Sequence, residues 1–237
     1  MKLPFGQALG TILVVPATPC VAVAVAVLLF LNPIWVGFDQ GRSDVAQLTG
    51  YTPAQVSQVT GSILSDLVFG PPNFDVTVNG TPVLDVAERS HMADVRNVLL
   101  NLGLVALIAA LILLAAGLAS RGARGFWRAV QTGGKVLVAG VVVVGLAFGL
   151  FFDQAFQLFH EIFFAPGTYM FDVRTEKLVQ LFPDQFWSET SVCIAAAVLV
   201  LALIVVYAAG RIAGREAVAA PTSGATSPAL TPAGGSK

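Results

Sequence analysis

The sequence predicts an all-α membrane protein: four transmembrane helices carrying a small extracytoplasmic cap with a short helix and a candidate β-hairpin. Three observations predict this class. The chain is 56% hydrophobic and only 11% charged, whereas about a quarter of the residues in a soluble domain carry charge. Four charge-free apolar runs approach or exceed the ~20 residues that a helix needs to cross a bilayer. Lysine and arginine gather at the ends of those runs that face one side, and the acids gather on the other. A net charge of −1 with no basic patch gives no surface for nucleic acid. Cys20 and Cys193 each fall inside an apolar run, which suits buried thiols better than a disulfide or a zinc site.

The elements follow in order. Residues 1–31 hold the first transmembrane helix, whose apolar run covers 9–31 and includes Pro16 and Pro19. Neighbouring helices can satisfy the carbonyls that such prolines free. Ala17-Thr18-Pro19-Cys20 faintly mimics a lipoprotein signal, but a cleavable signal is shorter than this run. Residues 32–93 form the first cap segment. In it, Thr52-Pro53-Ala54-Gln55 starts a helix: threonine caps it, proline takes the first position and glutamine the third. Val56, Val59, Ile63 and Leu67 recur at helical spacing, and Gly70-Pro71-Pro72 ends the pattern. Phe74, Val76 and Val78 then alternate with polar residues up to Asn79-Gly80, a pair suited to a tight hairpin turn, with Pro82 limiting the ladder.

Asp85-Val86-Ala87-Glu88 repeats the capping signal and opens a helix that runs unbroken into the second span. That span is assigned to 94–119, with its charge-free part at 98–119. The basic loop 120–135 carries Arg121, Arg124, Arg128 and Lys135 without an acid. The third span covers 136–164, including an aromatic extension. Residues 165–190 form the second cap segment, and 191–212 the fourth span. The tail, 213–237, has a low-complexity Ala, Pro, Ser, Thr and Gly composition from 217 on and is expected to be disordered. Positive residues stay in the cytoplasm, so both termini and the basic loop are assigned there and the acid-rich segments outside. Trp187 precedes the fourth span, where an interfacial aromatic is expected.

The chain has two histidines, His91 and His160. Both fall near the outer membrane boundary, and in a four-helix bundle they can face each other. One reading makes them interfacial anchors. The other makes them a proton-transfer pair, since imidazole trades protons near neutral pH. Asp94 or Glu88 could orient His91 and fix its tautomer; His160 has only Asp153 and Glu161 nearby in sequence. A metal site built on the pair lacks an HExxH motif or a close histidine pair. A third alternative is a non-catalytic membrane protein whose cap binds a lipid or protein partner.

The stretch ERSHMADV at 88–95 resembles the E-x-x-H-M-x-D-V signature of the bacterial lipoprotein intramolecular transacylase family. FHEIFF, followed by FDVRTEKLVQLFP, resembles that family's second block: F-H-x-x-F-F, then W-x-F-D-P, an acidic residue and F-P. Tyr169 stands where the family usually has tryptophan, Val173 where it has proline, and Glu176 where it has aspartate. The resemblance implies an enzyme that moves the sn-2 acyl chain of a diacylglyceryl lipoprotein to the α-amino group of its N-terminal cysteine. It implies catalytic roles for His91 and His160, with Glu88, Asp94 and Asp172 supporting them. The implied substrate pocket is aromatic: Met92, Phe156, Phe159, Phe163, Phe164, Tyr169 and Phe171. Neither a cofactor nor a metal is expected. The expected partners are the diacylglyceryl-modified lipoprotein and membrane lipid.

Overall fold

The structure, a computed structural model, describes residues 5–219. Helix α1 (Phe5–Phe30) is followed by α2 (Pro33–Arg42), α3 (Val45–Thr49) and α4 (Pro53–Val68). Strands β1 (Thr77–Val78) and β2 (Thr81–Pro82) come next, then α5 (Val86–Ala119), α6 (Arg124–Leu150), α7 (Phe152–Phe163), α8 (Lys177–Leu181) and α9 (Asp184–Ala219). Among the described residues, α1, α5, α6 and α9 are long and apolar enough to cross a membrane. Helix α9 runs on to Ala219, and the remainder of the tail expected to be disordered lies outside the described residues.

In the bundle, α1 is shared: it packs on α5 to one side and on α6 and α9 to the other, and α6 pairs most extensively with α9. Small residues make these approaches close. Pro19 cannot donate to the carbonyl of Val15, four residues back. That carbonyl points into the space left by Gly133 of α6, where an added Cβ would lie 2.5 Å from it. At Gly134 an added Cβ would come within 2.9 Å of Val206 on α9. Ala22, Ala26 and Ala202 join Leu137 and Val198 in the small bundle core.

The cap has a core of its own. Val36, Val45, Val59, Ile63, Phe74, Leu84 and Leu181 are among the side chains sealed in it. Both capping boxes form: Thr52 with Gln55, and Asp85 with Glu88. The hairpin is antiparallel, pairing Thr77 with Pro82 and Val78 with Thr81 around Asn79-Gly80. Phe74 is fully buried with φ of 48°, in the left-handed region that a bulky residue seldom adopts. Its N–H donates to the Asp66 carboxylate at 3.0 Å, which helps hold that turn.

Two features differ from the sequence expectation. The segment after α1 folds as two further helices, α2 and α3. Asn32-Pro33 starts α2 in the manner of Thr52-Pro53, the Asn32 side chain accepting from the Ile34 and Trp35 N–H groups. The third span and its aromatic extension are also separate helices, broken at Phe151 (φ −138°, ψ 51°). Past that point Asp153, Gln154 and Gln157 give the helix a polar side that hydrocarbon would leave unsolvated, so the chain changes course.

Candidate active site

The cap and the bundle meet at two helices, each carrying one imidazole. His91 lies in the second turn of α5, seven positions before the charge-free run at 98–119. His160 lies in the last turn of α7. Their rings stack, with centroids 6.1 Å apart and planes inclined by 20°. The two histidines, far apart along the chain, therefore lie side by side.

Their neighbours are aromatic. His91 meets Phe164 at 4.8 Å and Phe171 at 5.5 Å between ring centroids. His160 meets Phe156 at 4.4 Å, Tyr169 at 5.1 Å, Phe159 at 5.4 Å and Phe164 at 5.4 Å. Phe164 touches both imidazoles and is itself buried. The residue that stands in the family's tryptophan position, Tyr169, lies against His160. Phe163 packs on Phe159 at 4.9 Å and is half-exposed, away from the imidazoles. Met92 is buried in the cap core, in the same cluster as Phe171.

The two imidazoles differ in their polar partners. His160 Nδ1 donates to the Phe156 carbonyl at 2.8 Å. A carbonyl can only accept, so the proton sits on Nδ1 and Nε2 of the neutral ring is left as an acceptor. His91 is buried, and its Nδ1 has no hydrogen-bond partner among the described residues. Burial pushes the His91 imidazole down from 6.5 to about 4; neighbouring His160 acts in the same direction, and Asp94 opposes both. At pH 7 this ring is neutral.

The supporting carboxylates act on the backbone. Glu88 is fully buried one turn before His91. One of its oxygens accepts from the Asp85 N–H at 2.6 Å, and the other from the Leu178 N–H at 2.7 Å. It thus clamps the start of α5 to α8, and neither oxygen reaches His91. The capping box in the sequence located Glu88, but nothing local announced its second partner, 90 residues on. Asp94 contributes charge, with no hydrogen bond to His91. Asp172 is spent on Arg174, whose guanidinium it accepts from at 2.6 Å, and on the Arg174 N–H. Sequence reasoning also missed the ties from α2 to the second cap segment: Trp35 donates to Thr190 at 3.1 Å, Thr190 to Asp39 at 2.8 Å and Gln40 to the Leu181 carbonyl at 2.9 Å. Asn32-Pro33 was the signal that could have found α2 and its buried face.

Residues 12–187 match the family model described as lipoprotein intramolecular transacylase Lit. The chain belongs to that family. No curated protein sequence matches it. Among solved structures it resembles the membrane integral lipoprotein intramolecular transacylase Lit from Bacillus cereus, with a TM-score of 0.78 at 17% identity over 90% of this chain and 98% of that one. A variant of the same Bacillus cereus protein, with a histidine replaced by arginine, matches with a TM-score of 0.74 at 16% identity over 90% of this chain and 94% of that one. At these identities the likeness speaks for the fold, and the family match for the activity. This member of the transacylase family is a multi-pass membrane acyltransferase acting on lipoprotein.

Proposed function

We propose that this transacylase moves the sn-2 acyl chain of a diacylglyceryl lipoprotein to the α-amino group of the N-terminal cysteine, using His91 and His160. The stacked imidazole pair among aromatic side chains is the observation that carries this reading. The substrate's α-ammonium first gives up one proton to water. The free amine attacks the ester carbonyl, forming the C–N bond. His160 Nε2 takes the second proton from that nitrogen and passes it to the glycerol oxygen as the C–O bond breaks. The Phe156 carbonyl, accepting from Nδ1, steadies the imidazolium formed in between. Neutral His91 suits a different task, donating a hydrogen bond to the oxyanion of the tetrahedral intermediate. Amine and ester belong to one molecule, so holding them together in a tight pocket lowers the barrier through proximity. The aromatic walls keep bulk water from competing as nucleophile.

The basic loop and Arg211 and Arg215 lie at the end of the bundle away from the cap, which supports placing the cap outside the cell and both termini in the cytoplasm. The test is incubation of the purified protein in vesicles with a diacylated lipopeptide. The expected product has unchanged mass and a blocked amine. His91→Ala and His160→Ala are each expected to lower its rate by ~10²–10⁴-fold while the protein keeps its melting midpoint. Wild-type rates in either variant would overturn the assignment.

A further inference from the structure

Helix α7 is two-sided. Leu158, Phe159, Ile162 and Phe163 lie on one arc, exposed by 55%, 37%, 66% and 51%. Asp153, Gln154, Gln157 and Glu161 are exposed on the opposite arc. His160 falls on the boundary between them. An apolar arc of this size facing water would be costly, and a helix with one such face and one polar face suits a membrane surface.

Depth can be read from three neighbours. The charge-free part of α6 before the break, residues 136–150, rises ~22 Å, most of the ~30 Å hydrocarbon core. It therefore delivers α7 near the bilayer boundary. Phe156 of α7 packs at 6.0 Å on Trp187, which sits five positions before the apolar run beginning at Val192. His160 stacks on His91, seven positions before the run at 98–119. At ~1.5 Å per residue, both contacts lie roughly 7–10 Å beyond the hydrocarbon edge, around the headgroup layer. Val143, Leu146 and Leu150 on α6, the span that precedes α7, are also exposed.

We infer that α7 lies along the leaflet on the cap side, with Leu158, Phe159, Ile162 and Phe163 among the acyl chains and its polar arc in the headgroup water. The partner of this face is the bilayer itself, continuous with the surface that the spans already present to lipid. Resting on the transacylase reading, one consequence follows for catalysis. His160 is held at the headgroup side of α7, so the reacting ester, which lies at the inner edge of that layer, has only a short rise to reach it and the acyl chain stays largely in the leaflet.

Collision measurements on nitroxide labels test the placement in the full chain, in a Cys20→Ala, Cys193→Ala background reconstituted in phosphatidylcholine vesicles. Labels at Leu158→Cys and Ile162→Cys are expected to collide more with membrane-soluble oxygen than with a water-soluble nickel chelate. Labels at Gln154→Cys and Glu161→Cys are expected to show the reverse. Nickel access at 162 equal to that at 161 would overturn the inference. Protection of 158 and 162 from both reagents would overturn it too, because it would mean a protein partner or a second copy covers the face. The link to catalysis is read from Leu158→Gln combined with Ile162→Gln, expected to convert lipopeptide at least tenfold more slowly in vesicles and at the wild-type rate in detergent micelles. An unchanged rate in vesicles, or an equal loss in micelles, refutes that link. Absence of product from the unmodified protein would count against the transacylase reading while the collision profile still stands.

Discussion

The cap and the bundle are built on opposite packing rules. The cap buries large side chains, Phe74, Ile63, Leu84 and Leu181 among them, and exposes polar ones. The bundle buries alanines and glycines and turns Leu104, Val143 and Leu203 outward. The solvent explains the contrast. Around the cap, water drives apolar area inward at ~25 cal/mol per Å². Around the bundle, lipid tails are as apolar as leucine, so only close approach between backbones favours association. The histidine pair sits at the seam, where α5 and α7 leave one regime for the other. There a polar pair is flanked by aromatic rings at the edge of the lipid-facing bundle.

Substitutions can break or sharpen this contrast. The largest effect is expected inside the cap: Phe74→Ala should destabilise by about 3–5 kcal/mol and Ile63→Ala by about 2–5 kcal/mol, read as melting midpoints in detergent. Losses well under 1 kcal/mol would mean the cap lacks a packed core. Acidification probes the seam. The folded chain holds His91 neutral down to about 4, whereas the unfolded ring takes its proton near 6.5. Stability is therefore full above pH 6.5 and falls as the pH drops toward 4, by about 3 kcal/mol from this group. A His91→Phe variant should show a flatter profile of melting midpoint against pH.

Within the bundle, Gly133→Ala should cost about 1–3 kcal/mol, because the new methyl meets the Val15 carbonyl. Gly140→Ala, with nothing within 4 Å of its added Cβ, should be neutral or stabilise by up to about 1 kcal/mol. If both changes gave the same shift, close glycine packing would not be what joins α1 to α6. The smallest effect is expected on the lipid-facing surface, where Leu104→Ala should move stability by about 0.5 kcal/mol or less. A loss like that of Ile63→Ala would place this face of α5 against protein.

Much of this was legible from residue order, because the responsible forces are local or one-dimensional. The four spans follow from unbroken apolar runs. The starts of α4 and α5 follow from side chains that bond backbone groups three residues away. The hairpin turn follows from the left-handed tolerance of Asn79-Gly80. The break at Phe151 was harder to see. Phenylalanine lies on both sides of it, and only the angular separation of Asp153, Gln154 and Gln157 from Leu158 and Ile162 marks the change of solvent. Helix α2 carried its start signal at Asn32-Pro33, but the burial of Asp39 and Gln40 depends on partners at Thr190 and Leu181, far along the chain.

The sequence by itself determined that this chain crosses a membrane four times and that its two histidines belong to transacylase-like blocks. Hydropathy and short motifs act over a few residues, so they can be read along a line. Only the tertiary structure decided that the imidazoles stack, that Glu88 clamps backbone instead of orienting His91, and that Phe164 rather than Phe163 is shared by both rings. Those outcomes depend on which helix faces which, and that is set by packing between residues far apart in the chain.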